Sequence, residues 1–496
     1  MRRLVFAFLF LFALSGVYAQ QEQMYKVEMG LQEVISVAHS QSPGAILARH
    51  NFIVSYWQFR TYKAQFLPSL NLQGTLGNYN RSLVPLQSSE TGEIGYLENN
   101  TLRNALSLSV DQNIPFTGGA VSVITSLDRL DQFSPFDRIT YNSQPVKITY
   151  SQPINGFNSF KWEKRIEPKR FEVAKKEYVA SMEDITVSAV SYFFNLLIAQ
   201  KQRVMKEVSR ENTRQMYRIA SERFAIGSIS KDELLQLELK LLNDSLAVAD
   251  NMVAEINAMQ RLRIFLGYNE KVEIRLLEPP HYDSFQLDYG FVMDMLRTNS
   301  PDILNNEIAL VEAQRSIAQA KSAAGIKASL YAQFGLNQVG DKFDNAYRSP
   351  LDQEVMGLTL SLPIMDWGLG KGKVKVAKSK AKVIQAQIDQ SMGKLMEDIS
   401  LMVMRFNMQG GQCEVSYRAD KVGQERYKTT KERFVNGTVG VLELNNAQQE
   451  MDNAQLRFLN ELCNYWVYYY DLRRIALYDF IGDRSIEYDF NNIVND

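Results

Sequence analysis

Few side chains in this chain are spaced for covalent chemistry, and Cys413 and Cys463 come nearest to it. They lie 24 residues before and 26 residues after Gly437, so a helical hairpin turning at that glycine brings them to similar heights. Export would permit a disulfide. Packed helix axes, however, sit about 8–10 Å apart, while a disulfide holds its Cα atoms within about 4.4–6.8 Å. The two thiols are therefore expected to stay unbonded. His39, His50 and His281 are scattered, and two cysteines alone make no metal cluster. No GxSxG, HExxH or P-loop pattern occurs. No catalytic step, cofactor or metal is expected, and a net charge of −1 argues against a nucleic-acid partner.

The carboxylates that stand out are Asp232, Glu233 and Glu443. Acids early in a helix favour its N-terminal dipole, which is reason enough for them to be there. Each follows a turn of one unusual pattern. Arg223-Phe224-Ala225-Ile226-Gly227-Ser228-Ile229-Ser230 aligns with Arg433-Phe434-Val435-Asn436-Gly437-Thr438-Val439-Gly440 at an offset of 210 positions. The same offset relates Thr149-Tyr150-Ser151-Gln152-Pro153-Ile154 to Thr359-Leu360-Ser361-Leu362-Pro363-Ile364. One register covering two separated motifs marks an internal two-fold sequence repeat.

Both repeats read as helix, strands, long helix, tight turn and returning helix. The first helices are Leu31 to Lys63 and Phe291 to Ala323. Leu70-Asn71-Leu72-Gln73, Val146 to Tyr150, Ala328 to Phe334 and Leu358 to Leu362 alternate apolar and polar, the pattern of half-buried strands. Long helices are expected from Pro168 to Ile226 and from Lys373 to Asn436, with Pro168 in a first turn where its missing N–H costs nothing. Gly227 and Gly437 reverse the chain, as residues free to adopt positive φ. Returning helices then run to about Phe265 and Leu477. Some 50 extra residues near 80–131 look like an additional hairpin. The expected organisation is a signal segment over 1–19, repeat 1 over 20–280 with strands at 68–154, repeat 2 over 281–478 with strands at 327–364, and a tail over 479–496 with no assigned element.

Arg2 and Arg3, the apolar run Leu4 to Leu14 and Val17-Tyr18-Ala19 have the order of a secretory signal, without a cysteine for lipid anchoring. No later run is apolar enough for a transmembrane helix. A β-barrel is the other way to satisfy backbone polar groups in lipid. Four strands per chain cannot close a barrel, because natural ones start near eight. Three chains would give about twelve. Long helices of about 60–65 residues, roughly 90–100 Å, have two apolar stripes each, as in Ile185, Ala189, Tyr192 and Leu196 beside Val190, Phe193 and Leu197. The expected fold is an α+β membrane protein. It has a long antiparallel α-helical barrel, a coiled-coil tunnel, and transmembrane β-barrel strands completed as a trimer. A structural or adhesive coiled-coil protein of the envelope is the alternative.

Three features together resemble the TolC-like outer-membrane efflux protein family: the Leu67-Pro68-Ser69-Leu70 entry, the Ser361-Leu362-Pro363-Ile364-Met365-Asp366-Trp367-Gly368 exit, and the two Arg-Phe-x-x-Gly turns. The resemblance covers nearly all of the chain beyond the signal. It implies a homotrimer in the outer membrane of a Gram-negative bacterium, in contact with its lipid, with the helices in the periplasm. It also implies a passive duct that meets a periplasmic adaptor and, through it, an inner-membrane pump. The turns Arg223 to Ser230 and Arg433 to Gly440 would be the adaptor-docking tips. Family members often close the periplasmic end with acids just past the second tip. Glu443 falls on one such position and the uncharged Asn446 on the other, with Asp232 and Glu233 in the same region of repeat 1. An Arg-and-aromatic lock found in some members is absent, since Phe434 and Val439 stand there.

Overall fold

The computed structural model describes residues 25–87, 92, 94–279 and 285–495. The expected signal segment and His281 lie outside the described residues. In chain order the elements are β1 (Tyr25–Met29), α1 (Leu31–Gln41), α2 (Pro43–Ala64), β2 (Ser69–Gln87), β3 (Ile94–Ile114), β4 (Gly119–Ser134), β5 (Arg138–Pro153), α3 (Ser159–Ala225), α4 (Lys231–Leu266), β6 (Val272–Leu276), α5 (Tyr289–Asn299), α6 (Pro301–Ala324), β7 (Lys327–Gly340), β8 (Leu351–Ser361), α7 (Leu369–Val435), α8 (Val441–Ala476), β9 (Tyr478–Asp479), β10 (Arg484–Ser485) and α9 (Phe490–Asn495). They form two compact units. One comprises Met1–His50, Tyr178–Asn299 and Met396–Tyr488; the other comprises Asn51–Glu177, Ser300–Leu395 and Asp489–Asp496.

Several boundaries differ from expectation for local reasons. The helix expected over Leu31 to Lys63 is broken at Ser42, and the one over Phe291 to Ala323 at Ser300. Both breaks are Ser-Pro. The residue before proline is pushed out of the helical region, serine caps the next helix, and proline fits its first position. Ser42 Oγ accepts from the Ala45 amide at 3.1 Å, and Ser300 Oγ accepts from the Asp302 amide at 3.2 Å. Pro168 is inside α3 rather than in its first turn. Asn158 starts that helix earlier by accepting from the Lys161 amide at 3.2 Å. The tail also has structure: β9 and β10 pair antiparallel and α9 follows.

In the sheet unit the strands number six, the four expected and the two of the extra hairpin. One antiparallel sheet runs in the order β2-β3-β4-β5-β7-β8, so the extra hairpin is part of the same sheet. Side chains of directly paired residues share a face. Leu70 pairs with Val110, Val110 with Val123, Val123 with Ile148, and Ile148 with Phe334, and all five are exposed. On the opposite face Asp111 pairs with Ser122, Ser122 with Thr149, and Thr149 with Gln333. The sheet is thus apolar on one side and polar on the other. Among the described residues β2 and β8 each leave one edge unpaired. In the same unit Ile166 and Val173 of α3 pack on Ile308 of α6.

The helical unit is the better buried. Both expected stripes of α3 enter its core: Ala189, Val190, Phe193, Leu196 and Leu197 are fully or almost fully buried. Leu262 and Leu266 of α4 and Tyr465 and Tyr469 of α8 are buried with them. One 18-residue window of α3 is apolar enough, by length and composition alone, to cross a membrane, which the sequence reading did not expect. Of that window 61% is buried inside the molecule, as a core helix requires. β1 pairs parallel with β6 from Tyr25 opposite Val272 to Met29 opposite Leu276. That pairing had no counterpart in the sequence reading. Both cysteines are free. Cys413 Sγ donates to the Glu461 carbonyl at 3.1 Å. Burial pushes its thiol up to about 12 and that of Cys463 up to about 11.

Candidate functional site at the hairpin tips

α3 and α7 have 67 residues each, roughly 100 Å, and α4 and α8 have 36 each. Both hairpins reverse by the same device. The Gly227 amide donates to the Phe224 carbonyl at 2.9 Å and the Ser228 amide to Arg223 at 2.8 Å. At the second tip Gly437 donates to Phe434 and Thr438 to Arg433, both at 3.0 Å. This pair of bonds satisfies carbonyls left open at a helix end, and it needs a left-handed residue at the turn. Gly227 and Gly437 supply it, with φ of 72° and 77°.

The starts of the returning helices differ. Ser230 Oγ accepts from the Glu233 amide at 3.2 Å, and Glu233 Oε2 accepts from the Ser230 amide at 3.0 Å. Glu233 thus completes a capping box. Gly440 has no side chain to give α8 the same cap. Asp232, Glu443 and Asn446 are exposed. Of the four residues assigned to a gate, only Glu233 lines the cleft between the tips.

That cleft measures 560 Å³, and its walls include Arg223, Ile226, Phe434, Thr438 and Val439. Below it Met216, Ala220, Leu237, Phe434, Val441 and Leu444 form a buried core shared by both hairpins. The aligned phenylalanines have different fates: Phe224 is 41% exposed and Phe434 only 4%. The arginines differ too. Arg223 Nη2 donates to the Val435 carbonyl at 2.9 Å, and its guanidinium lies 5.8 Å from the Phe434 ring centre. Arg223 thus caps the end of α7, the long helix of the other hairpin. Arg433 is exposed. So the exposed residues of the tips are Phe224, Ala225, Ile226, Gly227, Ser228 and Ser230 in the first and Arg433, Val435, Asn436, Gly437, Thr438 and Gly440 in the second, without Phe434.

Sequence reading missed a polar belt farther along these helices. Asp244 accepts from Thr213 Oγ1 at 2.6 Å and Ser209 Oγ at 3.2 Å. Gln448 Nε2 donates to Ser209 Oγ at 2.6 Å, and Lys206 pairs with Asp452 at 3.1 Å. Burial, with the charges of Asp452 and Asp244, pushes the Tyr427 phenol up to about 12. Only the fold brings these partners together, so spacing gave no signal. Among the described residues no group of three His, Cys, Asp or Glu could hold a metal ion.

Residues 292–474, from α5 through most of α8, match the family described as outer membrane efflux protein. Over this stretch, less than half of its length, the chain is similar to outer membrane efflux proteins. The matched stretch includes the second tip, Arg433 to Gly440, and the first tip lies outside it. The resemblance to TolC-like outer-membrane efflux proteins is borne out. Nodulation protein T of Rhizobium leguminosarum bv. trifolii is 23% identical over 297 residues, which span 58% of this chain and 62% of that relative. Among solved structures, the Campylobacter jejuni CmeC outer membrane channel superposes with a TM-score of 0.66 at 17% identity, over 94% of this chain and 88% of that one. The Vibrio cholerae outer membrane protein VceC gives 0.63 at 14% identity, over 92% and 97%. The likeness in fold therefore extends well beyond the matched stretch.

Proposed function

We propose that the chain is one subunit of a passive outer-membrane duct in a tripartite efflux or export system, with no catalytic step of its own. The observation that carries this reading is the sheet, apolar on one face, polar on the other and open at both edges. Lipid tolerates no open edge, because unpaired backbone groups there cost several kcal/mol each. Three copies offering six strands each would close the wall as a homotrimer, with the apolar face toward outer-membrane lipid and the polar face toward water. The helices would then stand in the periplasm of a Gram-negative cell. The two repeats, joined near residue 280, would supply alternate helix pairs of the tunnel. Purified protein in a planar bilayer should conduct ions in discrete steps; a protein that inserts and never conducts would leave the envelope coiled-coil reading in its place.

The two faces of the sheet should respond oppositely to charge. Ile148→Arg sets a cation on the apolar face, where such a change costs about 2–4 kcal/mol at mid-membrane. Thr149→Arg sets it on the polar face one residue away. Membrane assembly, read as heat-modifiable mobility on gels, should fail in the first variant and survive in the second.

The tips are the surface proposed to dock the periplasmic adaptor, which would connect the duct to an inner-membrane pump. Phe224 is the exposed apolar residue to test. Closure of the periplasmic end is assigned to the start of α8, where threefold symmetry would set three copies of Glu443 around one axis, with Asp232 and Asn446 nearby. A ring of carboxylates favours cations. Glu443→Gln should lower the cation preference of the resting channel without loss of the trimer. Glu233 is expected to act chiefly through its cap, so Glu233→Gln, which keeps an acceptor for the Ser230 amide, should change selectivity less. Unchanged reversal potentials in both variants would leave these as ordinary helix-start acids.

A further inference from the structure

The segment joining β8 to α7 carries a feature that a passive wall does not need. Outward alternation continues beyond the strand: Met356, Leu358, Leu360, Leu362 and Ile364 are all exposed, Ile364 to 93%. Met365 follows, and then Trp367 at 91% exposure. Trp367 is held there. Its φ is 53°, a left-handed conformation that tryptophan adopts at a cost. Asp366 fixes the turn by accepting from the Gly368 amide at 2.9 Å and the Gly370 amide at 2.8 Å. A large apolar ring in strained backbone, tied down and facing solvent, calls for something to cover it.

Beyond the turn come six exposed lysines: Lys371, Lys373, Lys375, Lys378, Lys380 and Lys382. No acid occurs between Asp366 and Asp389. Among the described residues none of the six makes an ion pair. Helical geometry places Lys371, Lys375, Lys378 and Lys382 in one narrow stripe. Like charges three and four residues apart repel, and cations are disfavoured near a helix N-terminus. The matching stretch of repeat 1 also has cations in its first turns, Lys161, Lys164 and Arg165, but acids are interleaved with them. There Glu163 and Glu167 interrupt the basic residues, Arg170 pairs with Glu167 at 2.6 Å and also with Glu312, and Lys169 pairs with Glu307 at 2.5 Å. A run of six lysines without an interleaved acid belongs to α7 and not to the matching stretch of α3.

We propose that Leu362 to Lys382 is an anchor for an anionic phospholipid surface: Ile364, Met365 and Trp367 enter the headgroup boundary, and the lysine stripe gathers lipid phosphates. This rests on the reading of the sheet as membrane-spanning. The apolar run continues from the strand without interruption, so whatever solvates the sheet also reaches the turn. Tryptophan is enriched at membrane interfaces, and a basic segment beside a bilayer draws anionic headgroups within about a Debye length.

Fluorescence quenching by brominated lipid tests it on the full chain in bilayers. The difference between wild type and Trp367→Phe isolates Trp367 from Trp57, Trp162 and Trp466. Brominated phosphatidylglycerol should associate about fivefold or more tightly than brominated phosphatidylcholine at equal mole fraction. The preference should vanish when the four stripe lysines become glutamine, while quenching by phosphatidylcholine persists. Equal quenching by the two lipids in wild type, or a preference that survives the four substitutions, would overturn the anchor. Leu358→Trp in the Trp367→Phe background reports on the sheet. If it is quenched and Trp367 is not, the anchor alone fails. If it too stays unquenched, the membrane reading fails and the anchor with it.

Discussion

Replacing Phe434 by alanine is expected to unfasten the hairpin tips, while the same change at Phe224 leaves them closed. The two residues are equivalent in the duplicated turn, yet only Phe434 is buried, among Met216, Ala220, Leu237, Val441 and Leu444. Truncating a core phenylalanine costs about 3–5 kcal/mol, from lost transfer energy and the cavity left behind. A half-exposed ring with solvent beside it stands for about 1 kcal/mol or less. The loss should be local, because a tip can open as a unit of its own. Amide exchange at the starts of α4 and α8 should accelerate by orders of magnitude in Phe434→Ala and barely change in Phe224→Ala. Arg223→Ala lies between them, since it uncaps α7 without emptying the core. Equal exchange in the two phenylalanine variants would mean that the buried cluster does not hold the tips together.

The second large effect is expected in the helical unit, at Arg473. Its guanidinium reaches Glu183 of α3 at 2.9 Å and Asp479 of β9 at 3.3 Å. Glu183 is fully buried. Burial raises its carboxyl pKa, and the charge of Arg473 opposes the rise. A carboxyl whose folded pKa exceeds its unfolded value contributes stability below the unfolded pKa and loses it as pH rises through the folded one. Arg473→Met removes the opposing charge, so the folded pKa of Glu183 climbs further. The variant should lose about 3–5 kcal/mol, the usual cost of stranding one member of a buried pair. The loss should be greater at pH 8 than at pH 5. Asp479, with its pKa lowered in the fold, stays ionised across that window. His39, bonded to Thr186 at 2.7 Å, has its pKa lowered by burial and also by the charge of Arg473, so both proteins are compared in a His39→Gln background to isolate Glu183. Thermal melts at the two pH values decide it. A destabilisation independent of pH would assign the effect to lost packing instead.

Elements set by local pattern were legible in the sequence. The alternation of Leu70 to Gln73 and of Leu358 to Leu362, the two glycine turns and the paired apolar stripes of α3 each report a periodicity that one element imposes by itself. The Ser-Pro breaks at Ser42 and Ser300 were also written locally, but a strong helical pattern on both sides obscured them. Sites made by distant partners were not legible. Glu183 and Arg473 are 290 positions apart, and Arg223 finds its acceptor 212 positions away. Nothing near Phe434 in sequence distinguishes it from Phe224; only the neighbouring hairpin does. The lysines of α7 were in plain view, but their meaning depends on carboxylates that fail to meet them.

The hairpin that makes the sheet six-stranded has a consequence for girth. Strands lie about 4.8 Å apart, and in barrels they tilt by about 40°. Twelve strands would then close around a backbone diameter of roughly 24 Å, and eighteen around roughly 36 Å. The added residues all belong to the sheet unit, so in the proposed duct an insertion of this kind would widen the outer opening without rewriting a single tip residue. Among relatives that share one helical plan, the length of chain between the first two strands would then act as a calibre setting, fixing the bulk of what can leave the cell separately from what the pump selects.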